Sequence, residues 1–244
     1  KAATEWHACK LDELGSVGRG KSKHRPRNDK SLYGGEYPFF QTGDIKAATL
    51  YLTEYSQTYN EKGLRQSKLW EPGTLCITIA ANIAETAILG IPGCFPDSIV
   101  GFVPDPEKAD VAFIKYYIDT IKLQMQNISR GATQDNLSVD KLLTFNIRVP
   151  PLSIQRRISG ILSAYDELIE NNQRRIKILE EMARSLYREW FVHFRFPGHD
   201  NVKMVPSPLG PIPQGWEVSE FRNIFQIKYG KTLPKTEIHD QGQY

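Results

Sequence analysis

Val149-Pro150-Pro151-Leu152-Ser153-Ile154-Gln155-Arg156-Arg157-Ile158 is where one kind of chain gives way to another. Before the two prolines, apolar residues fall in short β-branched runs. After them they recur every three or four positions: Ile158, Ile161, Tyr165, Leu168, Asn172, Ile176, Leu179, Ala183, Leu186 and Trp190. Seven basic and six acidic side chains occupy other positions of residues 152–190. This stripe predicts one amphipathic helix, capped by Ser153 behind the proline pair and ending at Phe196-Pro197-Gly198. About forty residues at 1.5 Å each give roughly 60 Å. So narrow a stripe is coiled-coil-like and wants a partner helix. Asn172 in the stripe is either a register device or, with Asn171, a kinked or frayed point.

Upstream, Leu75-Cys-Ile-Thr-Ile-Ala80, Ala87-Ile-Leu-Gly90 and Ile99-Val-Gly-Phe-Val103 are apolar runs set off by Pro72-Gly73, Pro92-Gly93 and Pro104. They predict strands of one buried sheet. Val111, Ile114, Tyr117, Ile118, Ile121 and Met125 sit at helical spacing, and Phe145-Asn-Ile-Arg-Val149 alternates as a closing strand. The expected fold class is therefore α+β (mixed α/β), followed by a long coiled-coil-type α-helix. Downstream, Pro197 to Pro213 holds five prolines and two glycines and reads as an extended linker.

Beyond the linker the chain restarts its own opening. Trp6, Leu11, Leu14, Val17, Gly20 and Lys21 are answered at the same offsets by Trp216, Phe221, Ile224, Ile227, Gly230 and Lys231. The expectation is one complete unit, a connector, and the first 29 residues of a second unit. Two like domains on one chain would hold two similar binding events at a set distance.

Composition narrows the class. With 40% hydrophobic and 24% charged residues the 244-residue chain is globular rather than disordered. No run of 18 apolar residues and no signal pattern supports a membrane span or secretion. Cys9, Cys76 and Cys94 form no Cys-x-x-Cys pair, so they are expected to be reduced in a cytoplasmic protein, with no zinc site.

The net charge of +3 says little, but residues 19–30 hold Arg19, Lys21, Lys23, Arg25, Arg27 and Lys30 against Asp29 alone. This stretch is either a solvated loop or a phosphate-contacting one, its backbone kept irregular by Gly18, Gly20 and Pro26. Gly15 to Ser22 also fits the spacing of a nucleotide phosphate loop, with Lys21 for the terminal phosphates and Ser22 for magnesium. Its context opposes that reading: the preceding segment is amphipathic, and the repeat has Phe225 where the first glycine belongs. No paired carboxylate, Ser/His/Asp set or metal-spaced histidine cluster stands out, so neither catalysis nor a cofactor is expected. Residues 129–136, Ser-Arg-Gly-Ala-Thr-Gln-Asp-Asn, instead offer Arg130, Gln134 and Asn136, side chains suited to base edges. The alternative is a turn in which Asn136 or Ser138 caps a short helix.

Taken in order, the opening Trp6 with Leu11 and Leu14, Tyr37-Pro-Phe-Phe-Gln-Thr-Gly-Asp-Ile45, Gly131-Ala-Thr-Gln-Asp-Asn-Leu137, Val149-Pro-Pro-Leu-Ser-Ile-Gln155, and Tyr187-Arg-Glu-Trp-Phe-Val-His-Phe-Arg-Phe-Pro-Gly198 resemble a known family. It is that of the DNA specificity subunits of type I restriction-modification systems. The resemblance implies a first target recognition domain over residues 1–150, a conserved helical spacer over 151–196, a linker over 197–213 and the start of a second recognition domain over 214–244. It further implies a noncatalytic subunit that reads one half of a bipartite double-stranded DNA site. Its helix would dock modification (methyltransferase) subunits, which would carry S-adenosylmethionine, with restriction subunits joining through the complex. Phosphate contacts are expected from Arg19, Lys21, Lys23, Arg25, Arg27 and Lys30, and base readout from Arg130, Gln134 and Asn136. A homodimer is expected through Ile158, Ile161, Tyr165, Leu168, Ile176, Leu179 and Leu186. A phosphate-loop nucleotide-binding protein and a noncatalytic scaffold are the alternatives.

Overall fold

The computed structural model describes residues 5–130 and 137–230, the side chains of residues 129 and 130 excepted. Two compact units divide it, Lys1–Arg174 and Arg175–Tyr244. In chain order the first contains β1 (His7–Cys9), β2 (Gly15–Arg19), β3 (Tyr33–Phe39), α1 (Thr42–Ala47), β4 (Tyr51–Leu52), β5 (Gln57–Tyr59), α2 (Glu61–Arg65) and β6 (Leu69–Trp70). It continues with β7 (Leu75–Thr78), β8 (Thr86–Leu89), β9 (Gly93–Cys94), β10 (Ile99–Pro104), α3 (Val111–Arg130), α4 (Val139–Thr144), β11 (Ile147–Val149) and the first part of α5 (Leu152–Tyr187).

The three apolar runs become β7, β8 and β10, neighbours in a five-stranded sheet of order β2-β10-β7-β8-β4. Apart from the buried Thr78 and Thr86 they are apolar because both faces are covered. Leu75, Ile77, Ile88, Val100 and Phe102 face one core with Ile114, Ile118 and Met125 of α3. The alternate residues Cys76, Ala87, Leu89 and Ile99 face a second core with Phe40, Ile45, Trp70 and Phe95. A four-stranded sheet, β5-β3-β9-β6, adds a third cluster in which Phe39 stacks on Tyr59 with ring centres 4.1 Å apart. All three cysteines are buried and free.

The closing strand is β11, and it pairs antiparallel with β1, so the opening of the chain meets the residues just before the prolines. Directly after them α5 is rooted in the first unit. Gln155, 1% exposed, donates through Nε2 to the carbonyls of Lys108 and Pro150 (3.0 and 2.9 Å) and accepts from the Asp110 amide (3.0 Å). Ser159 is buried beside it and Ile158 packs on the core.

One expectation changes at this helix, the cap, while its 41 residues agree with the length of about forty expected from the sequence. It begins at Leu152, so Ser153 lies within its first turn rather than capping it; the Pro151 carbonyl accepts from the Ile154 and Gln155 amides instead. It runs unbroken through Asn171-Asn172. Its regular part spans 36 residues and stops at Tyr187, where a π-helical turn, Arg188–Val192, takes over. That length is about 54 Å at 1.5 Å per residue.

The second unit holds the rest of α5, a hairpin of β12 (Met204–Val205) and β13 (Ile212–Pro213), and α6 (Phe221–Ile224). The proline-rich stretch thus folds back on itself rather than running extended. Trp216 sits among Phe191, Phe194 and Phe196, ring centres 5.4–6.2 Å away. The short helix α6 falls at the offset where the opening of the chain has a single helical turn, Leu11–Glu13. Among the described residues no helix is long and apolar enough to cross a membrane.

Candidate nucleic-acid interface

The basic stretch is partly strand. Gly15–Arg19 is β2, paired along its length with β10, and the chain leaves it along the 95–98 loop: Gly20 N donates to Ile99 O and Lys21 N to Phe95 O. A phosphate loop needs a free, amide-lined turn opening a helix. Here the amides are spent on a sheet and a neighbouring loop, Ser22 is 5% exposed, and no helix follows. The nucleotide-loop reading of Gly15 to Ser22 is therefore overturned, as is the expectation that Gly18 keeps the backbone irregular. The glycines answer to packing: a Cβ on Gly18 would lie 2.9 Å from the Trp70 ring, and one on Gly20 would lie 2.2 Å from Pro96 O.

Beyond β2 the segment is tied down at many points. Ser67 Oγ donates to Lys21 O, and Gln66 Oε1 accepts from His24 N at 3.0 Å. Asp29 takes Ser31 N at 2.9 Å and pairs with His24 Nε2 at 2.8 Å; these bonds, the Ser31 amide first, bring its carboxyl down to about 2. Arg25 Nη1 donates to the Ser22 and His24 carbonyls. Asp97 is the hub. Its carboxylate pairs with Arg27 at 2.5 Å and stands 3.9 Å from Arg25, while its carbonyl accepts from Arg19 Nε.

The six cations thus divide into two sets. Arg19, Arg25 and Arg27 are gathered around Asp97, whereas Lys21, Lys23 and Lys30 are exposed and pair with no carboxylate among the described residues. Lys68, which the sequence did not single out, joins the second set. Its ammonium lies 3.4 Å from the centre of the Trp70 ring, and burial first, then nearby Lys21, lower it from the ordinary lysine range. Exposed ammonium groups on a tethered backbone form a surface that attracts an anion.

Of these lysines Lys30 lines a cavity of about 610 Å³, together with Arg27, Tyr33, Phe39, Gln41 and Gln57. Tyr33 Oη donates to Arg27 O at 2.7 Å, and burial, then Tyr59, raises its phenol to about 12. Of the expected base readers, Arg130 ends α3 but its side chain lies outside the described residues, as do Gln134 and Asn136. Ser138, the alternative cap, does accept from Lys141 N at the start of α4.

The helix stripe lies largely in solvent. Ile161, Leu168 and Leu179 are 54%, 55% and 62% exposed, and Tyr165, Ile176 and Leu186 are exposed with them. Leu162, Ile169 and Met182, unremarked in the sequence, widen that apolar face.

Comparison with known proteins gives this arrangement relatives. Residues 3–181 match the type I restriction modification DNA specificity domain. The MjaIX type I restriction enzyme specificity subunit of Methanocaldococcus jannaschii is 26% identical over 243 residues, covering 98% of this chain and 56% of the relative. A crystal structure of a type I restriction-modification S subunit from M. genitalium superposes with a TM-score of 0.62 at 16% identity, over 100% of this chain and 59% of that one. The HsdS subunit of Thermoanaerobacter tengcongensis gives 0.53 at 20% identity, over 72% and 41%. The chain spans about half the length of the curated relatives it matches. On the family match across residues 3–181, the chain belongs to the type I restriction-modification DNA specificity domain family.

Proposed function

We propose that this chain is a noncatalytic, sequence-specific DNA-binding subunit of a type I restriction-modification complex. The observation that carries the proposal is the tethered basic segment, in which Lys21, Lys23 and Lys30 are exposed with no carboxylate partner among the described residues and Lys30 lines a cleft edged with amides. Phosphate contacts hold a protein in register, and a second set of polar side chains reads bases. In this reading residues 1–150 are a first target recognition domain contacting one half of a bipartite double-stranded site. Residues 151–196 are a coiled-coil-type spacer, 197–213 a linker and 214–244 the start of a second recognition domain. Arg19, Arg25 and Arg27 set the loop and share the phosphate field, and Arg130, Gln134 and Asn136 remain proposed base readers.

The exposed face of α5 supports docking of methyltransferase subunits, through which restriction subunits join. The same face supports association of two copies of this chain. Adenine methylation then belongs to the separate subunit that binds S-adenosylmethionine and everts the base. Titration of the purified chain against duplex DNA across a salt series tests the proposal. Steeply salt-dependent binding is expected. Unchanged affinity on charge reversal of Lys21 and Lys23 would favour a scaffold whose globular part does not touch DNA.

A further inference from the structure

The cleft beside the basic segment holds two kinds of chemistry in one concavity. Lys30 and Arg27 line it together with Gln41 and Gln57, and Gln41 Nε2 donates to Gln57 Oε1 at 2.9 Å. Neither amide hangs on a free loop. Gln57 opens β5 in register with Phe39, and Gln41 is fixed by its amide donating to Asp44 Oδ2 (2.7 Å) and its carbonyl accepting from Ile45 N. A primary amide has more donors and lone pairs than this one shared bond uses, so the pair that lines the cleft keeps both kinds of group for a ligand. Tyr33 and Phe39 supply an aromatic wall, and about 610 Å³ is room on the scale of a small-molecule site.

Cations alone would suit any phosphate, and an aromatic wall alone any apolar group. Cations, aromatic side chains meeting edge to face at 66° and a hydrogen-bonded amide pair together suit a nucleotide whose base offers a donor next to an acceptor. Adenine does so through N6–H and N7, the pattern a glutamine amide meets in bidentate fashion. Resting on the DNA-binding reading above, we infer that Gln41 reads one adenine of the DNA target, with Gln57 as its positioning residue and Lys30 on the adjoining phosphate.

Selection of bound duplexes from a randomised DNA pool, with the full 244-residue chain and its variants, tests this. The parent chain should select a sequence containing an A·T pair at which Gln41→Ala lowers discrimination by about 5- to 150-fold, with other positions kept. Gln41→Glu should move the preference there to cytosine, since a carboxylate accepts from the cytosine amino group; a misfolded variant cannot produce such a switch. Gln57→Leu should blur the same position, and Gln57→Glu, which still accepts from Gln41, should restore it. An unchanged selected sequence in the Gln41 variants, or an even loss at every position, overturns the assignment while leaving DNA binding intact. Competition by free AMP, lost in Gln41→Ala, would overturn it in favour of a free-nucleotide site. Failure of the parent chain to enrich any sequence would overturn the DNA-binding reading, and this one with it.

Discussion

Gly18 and Gly101 face each other across the β2–β10 ladder, and the Trp70 ring lies over both: a Cβ on either would come within 2.9 Å of it. The pair of glycines is a seat for an indole. Gly18→Ala should overpack that seat and lower stability by about 1–3 kcal/mol, measured by urea unfolding. Nucleotide binding should not change, because none is expected at this strand. A nucleotide-stabilised melting temperature lost in Gly18→Ala would reinstate the phosphate-loop reading.

The root of α5 is a second sensitive point. Gln155→Leu keeps the volume but strands the Asp110 amide and the Lys108 and Pro150 carbonyls, and should cost about 2–4 kcal/mol in unfolding free energy. A loss under 0.5 kcal/mol, about the scale of an ordinary surface substitution, would refute that role.

Further along the helix, Tyr116 Oη donates to Asp166 Oδ2 at 2.6 Å, and burial, then Asp166, raises its phenol above the ordinary range. A raised folded value stabilises fully below the unfolded tyrosine pKa near ~10 and is lost as pH rises through the folded one. Tyr116→Phe should therefore lower stability by about 1 kcal/mol at neutral pH and flatten part of the decline above about pH 10. Parallel pH–stability curves for the two proteins would count against it.

The elements that could be read from sequence are those whose signal is local. β7, β8 and β10 announce themselves because a strand covered on both faces has no polar alternation to hide it, and α5 because its period persists over many turns. What escaped was set by distant partners. Arg25 and Arg27 look like free cations until Asp97, seventy residues from Arg27, is folded against them. Gly18 looks like a loop glycine because nothing nearby in sequence reveals Trp70 above it. Gln57 and Lys68 carry no motif, and Gln41 lies in the Tyr37–Ile45 segment without marking itself as a binding residue; the pairing of β3 with β5 and the approach of Lys21 bring them together with the basic segment.

That division of cations makes a graded prediction for DNA. Each phosphate contact contributes about 0.9 to the log–log salt slope of binding. Lys21→Ala, Lys23→Ala and Lys30→Ala should each reduce the slope by about one unit and weaken all sequences alike. Asp97→Asn releases the anion shared by Arg25 and Arg27 and should raise affinity for random duplex at low salt. Salt slopes from fluorescence anisotropy decide it. Three lysine variants with the parental slope would remove this segment from the interface.

The apolar face of α5 gives the last prediction. Ile161, Leu168, Ile176, Leu179 and Leu186 stand exposed along one side of a helix too charged elsewhere to be buried all round. Burying each fully against a partner is worth about 1.5–3 kcal/mol, and a second copy of the chain supplies an identical stripe. A two-fold pairing would set two like recognition domains on one particle and favour a split DNA site with inverted symmetry. Sedimentation at tens of micromolar (~10–50 µM, where such burial outweighs the association cost) should give a dimer for the parent chain. Leu168→Glu with Leu179→Glu should give a monomer of unchanged helical content, because both positions lie in solvent before association. A parent chain that sediments as a monomer, with the double variant indistinguishable from it, would assign this face to the modification subunit alone.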